Sequence, residues 1–103
     1  MRWRLRLAVQ ARADIQSLMT YLRREAGPRK AARYLRDINQ RLARLREMPK
    51  AGVALPEYGP SVRFVPCRRH VIYYELDAQF VVILRVLHAA QDRDSIMSER
   101  KNP

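Results

Sequence analysis

The sequence predicts a two-layer α+β domain of order β-α-α-β-β-β, with a helical hairpin packed on an antiparallel sheet. Three observations carry this. Residues 2–9 alternate with period two, residues 11–47 carry two apolar stripes at helical spacing, and residues 61–88 hold three short apolar runs with tight connections.

In residues 2–9, Trp3, Leu5, Leu7 and Val9 fall on one face of a strand, and Arg2, Arg4 and Arg6 on the other. In residues 11–25, Ala11, Ile15, Leu18, Met19 and Leu22 make one helical stripe. Gly27 and Pro28 follow, a glycine suited to the end of one helix and a proline suited to the first turn of the next. A second helix is expected over 28–47, where Ala31, Leu35, Ile38, Leu42 and Leu45 form a heptad seam. The short link makes the pair an antiparallel hairpin. Residues 48–60, "MPKAGVALPEYGP", read as a loop of a length at which loops tend to be functional or mobile.

Strands are expected at 61–65, 69–76 and 80–88, the last two joined by Asp77, Ala78 and Gln79. Short connections imply a meander. The polar tail, 89–103, has room for one helical turn near Ser95–Met97. One domain spanning residues 1–103 is the expectation for this length. A hairpin covering one sheet face leaves the other face open.

Composition narrows the function. Twenty-one Lys+Arg, eighteen of them arginine, stand against ten Asp+Glu, a formal charge of +11. Such a chain attracts polyanions or acidic proteins. The longest uncharged run in the C-terminal half is Ala78–Leu84, far short of the ~18 apolar residues of a membrane span. The alternating start lacks the apolar core of a signal peptide, and the single cysteine fits a reducing, cytoplasmic home. Cys67 is the only cysteine, which excludes an internal disulfide and a cysteine-based zinc site within the chain. No cofactor or metal is expected.

Four pieces, in order, carry one family pattern: "ARADIQSLMTYLRREAG", "AARYLRDINQRLARLREMPKAG", "SVRFVPCRRHVIYYEL" and "VVILRVLHAAQD". Together they resemble the ParE branch of the ParE/RelE toxins of bacterial type II toxin–antitoxin systems. "ARADIQSLMTYLRREAG" is similar to that family's first helix, with its Ala-x-x-Asp-Ile/Leu start. "AARYLRDINQRLARLREMPKAG" resembles its second helix with a Leu-x-x-x-Pro-x-x-Gly exit. "SVRFVPCRRHVIYYEL" resembles its Arg-bearing strand followed by a tyrosine-rich strand, and "VVILRVLHAAQD" its terminal Ile-Leu-Arg-Val-Leu-His-x-x-x-Asp signature. The resemblance implies a small toxin held inactive by a cognate antitoxin, a DNA-binding protein with an acidic C-terminal segment. For the ParE branch it implies inhibition of DNA gyrase by binding. The alternative, from the RelE branch, is a ribosome-dependent mRNA endonuclease.

The residues bear on that choice. Metal-free RNA cleavage needs a base, an acid and charge stabilisation on phosphate. The nuclease resemblance places Arg63 and Arg85 on phosphate and His88 as acid or base. A convincing acid–base pair is missing, since His70 is expected at the surface and His88 on the face opposite Arg85 unless a bulge intervenes. His88 is instead expected to cap the strand and bond Asp92, fixing a turn. Arg85 has two open uses: an ion pair with Asp14, Glu75 or Asp92, or contact with a partner. Tyr73 and Tyr74 point to opposite faces, one into the core; Tyr73 is expected, with Arg63 and Arg85, to face a partner. Cys67 reads as a small apolar filler, although its arginine neighbours favour a thiolate.

Overall fold

The computed structural model describes residues 2–99; the last residues of the expected polar tail lie outside the described range. A short β1 (Arg4–Leu7) leads into α1 (Val9–Ala26) and α2 (Pro28–Glu47). After β2 (Val53–Ala54) and a single 3-10 turn (Pro56–Tyr58) come β3 (Val62–Cys67), β4 (His70–Asp77) and β5 (Phe80–His88). A last helix, α3, spans Arg93–Ser98 where one turn is expected from the sequence. The sheet order is β1-β5-β4-β3-β2, with β1 parallel to β5 and the remaining pairs antiparallel.

The first strand is shorter than its alternation implies. Val9 is not a core strand residue but the exposed first residue of α1. Alanine at positions 8, 11 and 13 favours helix as soon as the chain leaves the sheet edge. Leu5 and Leu7 pack on the hairpin side, and Arg4 is exposed. Gly27 turns the hairpin with φ 92°, a conformation open to glycine at no steric cost, and its N–H closes α1 on the Arg23 carbonyl. Along α2 the buried residues are Ala31, Tyr34, Ile38, Leu42 and Leu45, with Leu35 only half-buried. The expected seam therefore rotates by about one position to admit Tyr34.

Residues 48–60 form a pinned strap rather than a free loop. The buried Tyr74 hydroxyl donates to the Pro49 carbonyl at 2.7 Å and accepts the Gly52 N–H at 3.0 Å. Arg63 Nη1 donates to the Lys50 and Gly52 carbonyls at 3.1 and 2.7 Å. A Cβ on Gly52 would lie 2.5 Å from the Tyr74 hydroxyl and 2.7 Å from the Phe64 carbonyl. The Leu45, Pro49, Gly52 spacing of the α2 exit thus meets one tyrosine on the sheet.

The second sheet face is not open as expected. Leu55, Tyr58, Val62, Tyr73, Leu84, Leu87 and Met97 form a second core there, separate from the hairpin-side core around Ile38, Ile72, Tyr74 and Ile83. The strap covers this face from one side and α3 from the other. Tyr58 donates its hydroxyl to Asp94, whose carboxylate pushes the tyrosine up to about 12. Asp92 caps α3 by accepting from the Ser95 N–H and hydroxyl.

Gly52→Ala is expected to lower unfolding stability by about 1–3 kcal/mol, the usual range for overpacking. Urea unfolding measures it, and an unchanged midpoint would contradict the close approach.

Candidate functional site

One irregularity decides where the chemistry-bearing residues go. From the closing pair Asp77↔Phe80, β4 and β5 run in register to Tyr74↔Ile83, and then resume at Tyr73↔Arg85. Leu84 is the extra residue of a β-bulge. An unbroken ladder would set His70 opposite Leu87; the bulge sets it opposite His88. It also changes the faces. Val81, Ile83 and Val86 pack on the hairpin side, and Val82, Leu84 and Leu87 on the other. His88 therefore does not share a face with Val82 and Leu84, as simple alternation implies, but lies on the hairpin side with Val86.

The bulge is held from α1. Asp14 Oδ2 accepts from Arg85 Nε at 2.8 Å and from the Val86 N–H at 2.9 Å, while Oδ1 accepts from Arg85 Nη2 at 2.9 Å. The two side chains are only 18% and 14% exposed. Because β1 ends opposite Ile83, Asp14 supplies the acceptor that this strand no longer provides farther along β5. Of the carboxylates open to Arg85 from sequence, the structure selects Asp14.

Next to this pair lies a cavity of about 370 Å³ between the hairpin and the sheet, lined by Asp14, Ser17, Leu18, Tyr21, Leu22, Tyr34, Arg69, His70 and His88. The two imidazoles meet edge to face, with centroids 5.3 Å apart. Tyr34 stands edge-on to His70, its hydroxyl 2.6 Å from Nδ1. The same hydroxyl accepts the Arg69 N–H at 3.2 Å. Burial pushes the Tyr34 hydroxyl up, so it remains a protonated donor. His70 is thus half-buried and bonded, not a surface residue. Burial first, and then its neighbour His88, hold it below the usual imidazole range, with Asp14 acting the other way.

The remaining expected site residues take other positions. His88 does not bond Asp92: its Nδ1 accepts from the Ala90 N–H at 3.1 Å, its own N–H goes to Gln91, and Asp92 serves α3. Each closes its own local turn. Tyr73 does point away from the hairpin and faces Arg85 in register, but it is 3% exposed, covered within the second core. Arg63 is spent on strap carbonyls. Cys67 is buried, and burial pushes its thiol up despite Arg41 and Arg68, so it serves as filler. A separate apolar groove of about 240 Å³ runs between α2 and β3, lined by Leu45, Met48, Ala51, Val65 and Pro66 with Arg41 and Arg44 at its rim.

Tyr34 and His70 are the members of the cluster that sequence reasoning missed. Tyr34 follows Ala31 by three residues and so lies on the buried stripe. His70 pairs with His88 only once the bulge is known.

A helical hairpin on a five-stranded sheet of this kind occurs in solved structures of toxin–antitoxin systems. Two solved structures share it. A chromosomal ParDE system from P. aeruginosa matches with a TM-score of 0.72 at 21% identity, covering 84% of this chain and 96% of that one. The RelBE2 toxin–antitoxin complex from Mycobacterium tuberculosis matches with a TM-score of 0.60 at 24% identity, covering 85% and 99%. The chain belongs to the family described as the ParE toxin of the type II toxin–antitoxin system parDE, whose model matches residues 5–93. Among curated relatives, Toxin ParE of Escherichia coli is 26% identical over 91% of this chain and 92% of its own length. Toxin ParE1 of Caulobacter vibrioides is 29% identical over 84% and 90%.

Two outcomes follow from this geometry. Asp14→Asn is expected to cost about 2–3 kcal/mol, because it weakens a half-buried charge-assisted pair and the Val86 tie together. It should also shift the His88 ring signals in an NMR spectrum; unchanged rings would show that the bulge stands without Asp14. The second concerns pH. The folded chain prefers neutral His70, so the unfolded chain takes up a proton first as pH falls. This contribution is fully present above about pH 6.5 and is lost as pH drops from there toward the lower folded value. Melting temperature should fall in that window, and His70→Gln should flatten the fall; an equal slope in both proteins would refute the assignment.

Proposed function

We propose that this ParE-type toxin inhibits DNA gyrase by binding, without bond-making chemistry of its own. Its cognate antitoxin neutralises it by laying a segment along the apolar groove between α2 and β3. The observation that carries the non-enzymatic reading is the state of the two arginines a nuclease would set on phosphate. Arg63 is engaged by the Lys50 and Gly52 carbonyls, and Arg85 by both oxygens of Asp14. Arg85 cannot turn its fork to a phosphate without breaking a tie of the fold, and Arg63 cannot leave the strap without losing its two carbonyl bonds. The groove supports the antitoxin reading: an apolar floor with arginines at the rim suits an amphipathic, acidic segment. The reading carries a cytoplasmic location with it; among the described residues, no helix is long and apolar enough to cross a membrane.

A second reading has one specific observation in its favour. The paired imidazoles of His70 and His88, beside Arg69, could divide acid and base roles in metal-independent RNA cleavage. A single experiment separates the two. Purified toxin is assayed for inhibition of gyrase supercoiling, with and without antitoxin, and in parallel for cleavage of ribosome-bound mRNA. Gyrase inhibition that the antitoxin relieves, with intact transcripts, is the expected result. Cut transcripts with gyrase unaffected would sink the proposal, and His88→Ala should then abolish the cutting.

A further inference from the structure

The hydrogen bonds around the histidine pair fix where its protons sit. A backbone N–H can only donate, so the Ala90 N–H requires a bare Nδ1 on His88 and leaves the proton on Nε2. Tyr34 accepts from the Arg69 N–H; when it gives its own proton to Nδ1 of His70, Nε2–H is again the free end of the ring. Both Nε2–H groups therefore lack an acceptor among the described residues, and both rings line one cavity. Arg69 reaches the same cavity, and its guanidinium has no carboxylate partner among the described residues. The one acid in the lining, Asp14, has both oxygens taken by Arg85 and Val86. Residues carrying three donors thus line a space whose one carboxylate is already engaged.

We propose that this cavity is an oxyanion pocket that takes a carboxylate of an acidic protein segment, received by Arg69 and by the Nε2–H groups of His70 and His88. A carboxylate fits better than a phosphate because the walls, Leu18, Leu22 and the Tyr21 ring, suit the aliphatic stem of a glutamate. A chain of charge +11 also draws acidic segments toward it. The pocket does not depend on whether the toxin acts on gyrase.

Binding is coupled to pH through His70. The ionisable groups facing it are Asp14 and Tyr21 from α1, Tyr34 from α2, Arg69 from the β3–β4 turn and His88 from β5. In the empty pocket, burial and His88 oppose a charge on His70. A bound carboxylate favours that charge, so binding takes up a proton. The Tyr34 oxygen, which has a second lone pair, then accepts from Nδ1–H in place of donating to it.

The test uses the full chain, isotope-labelled, with the imidazole signals followed by NMR. The probes are a capped hexaglutamate peptide, inorganic phosphate and a single-stranded RNA hexamer. Hexaglutamate should shift both imidazoles along a saturable curve, with affinity about threefold or more higher at pH 6 than at pH 8. Arg69→Gln, a change in an exposed turn, should weaken binding about fivefold or more, and Arg4→Gln, outside the cavity, should leave it unchanged. His88→Gln should blunt the His70 response, with melting curves confirming that each variant is folded. The proposal is overturned if neither ring shifts, if phosphate or RNA perturbs the rings more than the peptide does, or if Arg4→Gln weakens binding as much as Arg69→Gln.

Discussion

The carboxylate of Asp14 holds the structure's arrangement together. It meets the fork of Arg85 and the N–H of Val86 at once, from the first turns of α1 to the middle of β5. Sheet ladders tolerate an extra residue only where something takes up the displaced backbone groups. Asp14 does so at the place where β1 has run out. The bulge in turn sends Leu84 and Leu87 to one core and Val86 to the other, and sets His88 against His70. A polar contact of a few ångströms thereby decides the position of every side chain beyond it on the strand. The Ala-x-x-Asp-Ile and Ile-Leu-Arg-Val-Leu-His pieces, whose Asp14 and Arg85 are 71 residues apart in the chain, are the two halves of one joint.

The arginine content divides along the same lines. Some guanidinium groups are fasteners: Arg85 to Asp14, Arg63 to the strap, Arg46 to the Trp3 carbonyl, and Arg68 to Asp37 at 2.5 Å. Arg6, on the edge strand β1, lies over the Phe80 ring of the neighbouring β5 at 3.9 Å. These groups carry positive charge yet are not free to recognise an anion without loosening the fold. Arg4, Arg12 and Arg69 are among the cations with no acidic partner among the described residues, the charge that remains for association. Net charge therefore overstates the recognition surface.

Much of the fold was legible because its signals are local. The hairpin shows in the stripes and in Gly27–Pro28, and the meander in three apolar runs separated by two tight turns. What could not be read depends on contacts distant in sequence. Nothing in "VVILRVLH" reveals a bulge, since an extra residue in a run of apolar side chains leaves no gap in its pattern. The faces of His88 and Val86 were misassigned for that one reason. Tyr73 showed its direction but not its cover, because the cover comes from Met97 and Leu55, outside the sheet. For the candidate site, His88 was recognisable as a polar residue closing a strand. His70 and Tyr34 were not, since their meeting requires both the shifted register and the tilt of α2.

The parallel pairing of β1 with β5 has a consequence for how the molecule comes into being. Arg4 is matched to Phe80, so the first strand made waits for the last. Closing so long a loop costs entropy before any contact repays it, which makes this the slow, topologically distant step of folding. Until β5 is complete, the helical hairpin has no full sheet beneath it, and Asp14 has no arginine to hold. A chain interrupted before Arg85 lacks the joint altogether. The joint between α1 and the sheet is thus complete only once the final strand is in place.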